Sequence, residues 1–126
     1  MNPPNIVIFL VDDLGWNQVG YHANPVGNNE IKTPFIDAYA AAGLKLERSY
    51  MTPWCGPSRA ALMTGRTNSY NANVSSSIAA FDDDIGYVAG LPSGTRTLAT
   101  AFKEYGKSIG KPYKAYYNGK WGIGVS

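Results

Sequence analysis

The chain opens on an unbroken apolar run, Asn5-Ile6-Val7-Ile8-Phe9-Leu10-Val11, which ends abruptly in Asp12-Asp13. Continuous apolarity without alternation, rich in β-branched residues, predicts a strand buried on both faces, as in a parallel α/β sheet. A helix is predicted from Thr33-Pro34, a cap followed by an N1 proline, to Gly43. Its apolar stripe is Phe35, Ile36, Tyr39, Ala40 and Leu44. Leu44 to Tyr50 is a short candidate strand. A third segment, Thr97 to Tyr105, places Leu98, Ala101, Phe102 and Tyr105 on one helical face, with Gly106 as the stop. Tyr113 to Tyr117 reads as a second parallel strand. These elements point to the α/β class.

Between them lie polar stretches. Asn17 to Lys32 reads as a loop, and Asn68 to Gly94, rich in Ser, Asn, Asp and Gly, as a long surface excursion. No internal repeat and no linker divides the chain, so residues 1–126 are taken as one unit. That length allows one small domain with a real core. A net charge of +2, from 11 basic and 9 acidic residues, is too balanced to argue for a nucleic-acid or anionic-membrane partner. The single cysteine excludes an internal disulfide. Ile6 to Val11 is too short to span a bilayer, and short for a signal-peptide core with no basic residue before it. Asn73-Val74-Ser75 is a formal N-glycosylation acceptor, a weak hint of a secretory route.

The chemistry concentrates in Cys55-Gly56-Pro57-Ser58-Arg59-Ala60-Ala61-Leu62-Met63-Thr64-Gly65-Arg66. Cys55 is expected in a loop that runs at once into a short helix. Pro57 suits a first helical turn, where the N–H it lacks has no partner, and Gly65 suits a left-handed C′ position. A thiol at a helix N-terminus faces the positive end of the dipole, a setting that attracts phosphate and sulfate. Arg59 can add a two-pronged donor for the same anion. Asp12 and Asp13, at the carboxyl end of a buried strand, repel each other unless a hard cation such as Ca²⁺ or Mg²⁺ sits between them, or unless one caps a turn and the other is solvated. His22, the only histidine, has no partner motif, and Asp82-Asp83-Asp84 reads as solvated loop charge. Lys120, in Asn118-Gly119-Lys120-Trp121-Gly122-Ile123-Gly124, is by default a solvated loop lysine.

Cys55 to Arg66 resembles the sulfatase signature, Cys-x-Pro-Ser-Arg followed by Leu/Met-Thr-Gly-Arg, with every specified position present. Asn5 to Trp16 is similar to the opening of that family, Pro-Asn-(apolar run)-Asp-Asp-Leu-Gly-Trp. Gly119 to Gly124 resembles its Gly-Lys-Trp-His-Leu-Gly segment, except that Gly122 stands where the family has histidine. The resemblance runs from Pro4 to Gly124. It implies the N-terminal portion of an alkaline-phosphatase-like domain, with a mostly parallel sheet flanked by helices.

What the resemblance implies about chemistry is specific. Cys55 would be oxidised by a formylglycine-generating enzyme to formylglycine, an aldehyde that hydrates to a gem-diol. Asp12, Asp13 and position 55 would hold a divalent metal, usually calcium, with magnesium as the other choice. Arg59 and Lys120 would stabilise charge on the transferring group. The reaction would be hydrolysis of a sulfate ester, on a small molecule or a sulfated glycan, through a covalent sulfate on position 55. Further metal ligands (an Asp-Asn pair), another His and another Lys come from downstream segments in the family. The chain is therefore expected to be a fragment, a truncated product or an incomplete gene model, with little turnover of its own. Two other readings stay open. One is a phosphonate or phosphate monoester hydrolase of the same superfamily. The other is a non-catalytic product that binds an anion, a metal or a partner chain. Secretory, lysosomal or extracellular placement follows from the family and not from these residues.

Overall fold

The computed structural model describes residues 2–23, 31–67 and 90–124. The Asn73 acceptor, Asp82-Asp83-Asp84 and most of the Asn68 to Gly94 stretch lie outside the described residues. The chain divides into two compact units. One draws on Met1–Val7 and Met51–Ser126, the other on Ile8–Tyr50.

The helical elements are a 3-10 turn at Trp16–Gln18, then α1 (Gly20–Ala23), α2 (Pro34–Ala42), α3 (Cys55–Thr64) and α4 (Leu98–Ser108). The three helices expected from sequence are present as α2, α3 and α4. Among the described residues none enters a β ladder, so Asn5 to Val11, Leu44 to Tyr50 and Tyr113 to Tyr117 carry no strand pairing here. A strand needs a neighbour to take its backbone N–H and C=O groups. The apolar run accordingly lies at the surface, with Phe9 90% exposed.

In the unit holding α3 and α4, the core is Ala60, 0% exposed, and Ile123, 2% exposed, with Met63, Leu91 and Trp121 packed against them. Leu91 N–H donates to the Ile123 carbonyl at 3.0 Å, fixing the segment after the excursion to the one after Lys120. Thr97 caps α4, its hydroxyl accepting from Thr100 N–H. Gly106 is not the stop expected of it. The helix runs on to Ser108, and a Cβ at Gly106 would lie 2.7 Å from Lys111 O and Tyr113 N. The glycine there is a packing requirement. The stop is Gly110, at φ 68°, one turn later. Lys111 N–H donates to Gly106 O at 2.8 Å and Gly110 N–H to Lys107 O at 3.2 Å, the paired bonds of a Schellman ending. Tyr113 then packs its ring on Phe102, at 5.6 Å, and its hydroxyl donates to Pro4 O at 3.0 Å.

In the other unit, the Thr33 hydroxyl accepts from Gly20 N–H and donates to Asp37 Oδ1, both at 2.8 Å. Asp37 Oδ1 also accepts from Tyr21 N–H at 3.1 Å. Thr33 therefore occupies the cap position of α2 but serves the first turn of α1 with its side chain. His22 lies in α1, not in a loop. Its ring stacks on Trp16 at 3.8 Å, and its Nδ1 pairs with the Trp16 carbonyl at 3.0 Å, so it packs a local turn. The α2 stripe residues Phe35, Ile36 and Tyr39 are exposed.

Candidate active site

Cys55 is the first residue of α3 and is an exposed free thiol. It stands where the first-turn N–H groups have no intrahelical acceptor. The loop before it is tied down by Ser58. The Ser58 hydroxyl donates to the Thr52 carbonyl at 2.9 Å and lies 2.7 Å from the Thr52 hydroxyl. The Thr52 hydroxyl also lies within 3.3 Å of the Trp54 carbonyl, to which it can donate. Pro57, Ser58, Arg59 and Ala60 are all buried. The serine of the signature thus closes the turn that presents Cys55. Gly65, at φ 67°, ends the helix as expected, its N–H on Ala61 O at 2.8 Å.

Arg59 is 6% exposed. Its Nη1 donates to the backbone carbonyl of Lys120 at 2.5 Å, across 61 positions of sequence. The sequence suggested an arginine spending its fork on an anion; the structure has it spending part of that fork on the Lys120 peptide. The same carbonyl accepts the Tyr117 hydroxyl. Gly122 has φ 69°, and a Cβ there would lie 3.2 Å from Arg59 Cδ and 3.8 Å from Lys120 Cε. A Cβ at Gly122 would therefore lie near the stems of both cations.

Cys55, Arg59 and Lys120 belong to one unit, and Arg59 and Lys120 are joined directly. Asp12 and Asp13 belong to the other unit, in a turn after the apolar run. Asp13 has φ 54° and is the one non-glycine residue with positive φ among the described residues. No group of three His, Cys, Asp or Glu side chains gathers among the described residues. Three residues of this region have structural roles that the sequence alone does not assign. Ser58 and Thr52 carried a usable signal, a hydroxyl in the first turn of a helix behind a threonine-containing loop. Tyr117 carried none, because a tyrosine in a candidate strand reads as packing.

The sulfatase family model matches residues 4–125, and the chain belongs to that family. It is 36% identical over 121 residues to arylsulfatase J of Mus musculus, covering 96% of this chain and 18% of that protein. Against N-acetylgalactosamine-6-sulfatase of Homo sapiens it is 35% identical over 127 residues, covering 97% of this chain and 22% of that one. Against steryl-sulfatase of Homo sapiens it is 36% identical over 124 residues, covering 98% and 20%. The chain thus spans about a fifth of the length of these relatives, between 18% and 22%. No solved structure matches it.

Proposed function

We propose that this chain supplies the nucleophile and anion-binding side of a formylglycine-dependent sulfuric ester hydrolase with an α/β fold and a mostly parallel sheet. The observation that carries the reading is the signature helix itself. An exposed cysteine opens α3, a buried arginine follows one turn later, and that arginine is bonded to the lysine segment that the family motif also specifies. Relatives named for aryl, steryl and N-acetylgalactosamine-6-sulfate chemistry support a sulfate ester as substrate, on a small molecule or a glycan.

Position 55, once oxidised by a formylglycine-generating enzyme, carries a hydrated aldehyde. One of its hydroxyls attacks sulfur, the bond from sulfur to the ester oxygen breaks, and the alcohol leaves with a proton. The second hydroxyl then loses its proton, the carbonyl re-forms, and sulfate departs. The covalent sulfate divides one hard displacement into two easier ones. Arg59 and Lys120 place positive charge where the transferring group gains negative charge. Asp12 and Asp13 suit a hard cation, since adjacent carboxylates offer only oxygen donors and repel each other without one. Asp13 itself takes a left-handed turn conformation, φ 54°, that aspartate tolerates better than most residues. Asp12, Asp13 and position 55 would hold Ca²⁺ or Mg²⁺. When bound, that ion would lower the pKa of the attacking hydroxyl and polarise the sulfate oxygens.

Peptide mass spectrometry after co-expression with the generating enzyme tests the first step. Aldehyde or its hydrate is expected at position 55. Thiol throughout, in cells that convert another sulfatase, would refute the reading. Turnover of aryl sulfate against aryl phosphonate by the complete gene product then assigns the ester class, with a sulfate preference expected and Cys55→Ala inactive.

A further inference from the structure

The Lys120 peptide is held from two directions. Arg59 reaches it from α3, and Tyr117 reaches it from three residues upstream in its own segment. A carbonyl oxygen has two lone pairs, so both are engaged. The Tyr117 ring is itself placed edge-on against Trp121, with centroids 5.1 Å apart, and Trp121 packs on the Ala60–Ile123 core. Gly122 lies beside both cation stems. Its φ of 69° is one that side-chain-bearing residues rarely adopt, and the space a Cβ would need is bounded by Arg59 Cδ at 3.2 Å, Arg59 Nε at 3.7 Å and Lys120 Cε at 3.8 Å.

We propose that Tyr117 and Gly122 are positioning residues for the Arg59–Lys120 pair. Tyr117 fixes the Lys120 peptide through its hydroxyl, and Gly122 leaves free the space beside both cation stems. The proposal rests on the reading of Arg59 and Lys120 as sulfate-binding groups and adds what sets their spacing. It also gives the departure at Gly122 a physical sense. In this backbone the Cβ of a histidine at that position would press on the Arg59 stem at 3.2 Å and sit at a positive φ, so glycine is part of how this chain forms the pair. Neither residue touches the transferring group; both act through Arg59 and Lys120.

The test is a titration of the purified chain with inorganic sulfate, followed by NMR at Arg59 Nε–H and at the Trp121 amide nitrogen, which shares a peptide group with the Lys120 carbonyl. Tyr117→Phe keeps the ring and removes the donor. It is expected to shift the Trp121 nitrogen and to weaken sulfate binding about fivefold, the effect of one ordinary hydrogen bond. Gly122→Asn tolerates positive φ but adds a Cβ, and is expected to weaken binding about tenfold while Gly122→Ala, strained as well as crowded, weakens it further. Arg59→Ala is the reference for lost binding. Tyr117→Phe and Gly122→Asn chains that melt like the unaltered protein, bind sulfate as tightly and leave the Trp121 nitrogen unmoved would overturn the proposal. If the Gly122 variants do not fold, Tyr117→Phe decides alone. No response to sulfate by the unaltered chain would refute the anion-binding reading; the Trp121 shift would then still decide whether Tyr117 holds the peptide.

Discussion

The two regions that carry the candidate residues are built by different means. Around α3, a helix cap, a buried arginine and a glycine turn are joined by contacts between residues 61 positions apart, and the result surrounds a small core of Ala60 and Ile123. Around Asp12 and Asp13, the backbone conformation of one residue is the feature that stands out, and the apolar run before it lies exposed. A packed region resists substitution through its neighbours. The contrast gives an ordered set of expectations.

The largest effect should come from the packed region. Ile123→Ala empties a fully buried position against Ala60, Met63, Leu91 and Trp121. It should cost about 2–4 kcal/mol by chemical denaturation, transfer and cavity terms together. Since Ile123 O also accepts from Leu91 N–H, local loosening should show as faster amide exchange at Leu91. A loss under about 1 kcal/mol would mean that this core is not what holds Arg59 against Lys120.

Next is Ser58→Ala. It removes a donor to the Thr52 carbonyl and leaves the Thr52 hydroxyl without its closer partner. The expected cost is about 1–2 kcal/mol. Conversion of Cys55 by the generating enzyme should also change, because the loop before α3 is freed; an unchanged yield at position 55 would show that Ser58 has a stability role alone.

How much of this was legible depends on the range of the interactions. The α2 and α3 helices are readable because Pro34 and Pro57 act within one turn, α4 because Leu98, Ala101, Phe102 and Tyr105 share one face, and Gly65 is readable as a left-handed end because its signal is also local. Gly106 was misread as a stop because two glycines, Gly106 and Gly110, lie one turn apart, and only the packing of Tyr113 shows which one ends the helix. The signature marks Cys55 and Arg59 and a separate Gly-Lys-Trp segment marks Lys120, yet the bond from Arg59 to the Lys120 carbonyl spans 61 positions and leaves no local trace. His22 was ambiguous for want of a visible partner; Trp16, six residues upstream, supplies it.

In the other region, Asp13→Gly separates stability from binding. Glycine takes φ 54° without the steric cost an L-residue bears there. Stability should hold or rise by up to about 1 kcal/mol, while Ca²⁺ affinity measured by calorimetry should fall. Parallel falls in both would mean that the Asp13 side chain is structural. Unchanged Ca²⁺ binding would move the cation elsewhere.

The smallest effect should come from Phe9→Ser, and it bears most directly on the fold. The sequence reads Asn5 to Val11 as a strand buried on both faces. The structure has Phe9 90% exposed, with no ladder partner among the described residues. A side chain already in water has little transfer energy to lose, so the substitution in this chain should change stability by no more than about 0.5 kcal/mol. Large exposed apolar runs also favour association, so sedimentation should show a shift toward monomer in the variant. The corresponding substitution in a full-length sulfatase relative gives the opposing measurement. A loss there of about 3–5 kcal/mol, the cost of emptying a buried phenylalanine site, would support the parallel sheet and mean that the run is covered in the full-length fold. A loss within about 0.5 kcal/mol in both settings would refute the buried strand, and with it the placement of Asp12 and Asp13 at a strand's carboxyl end.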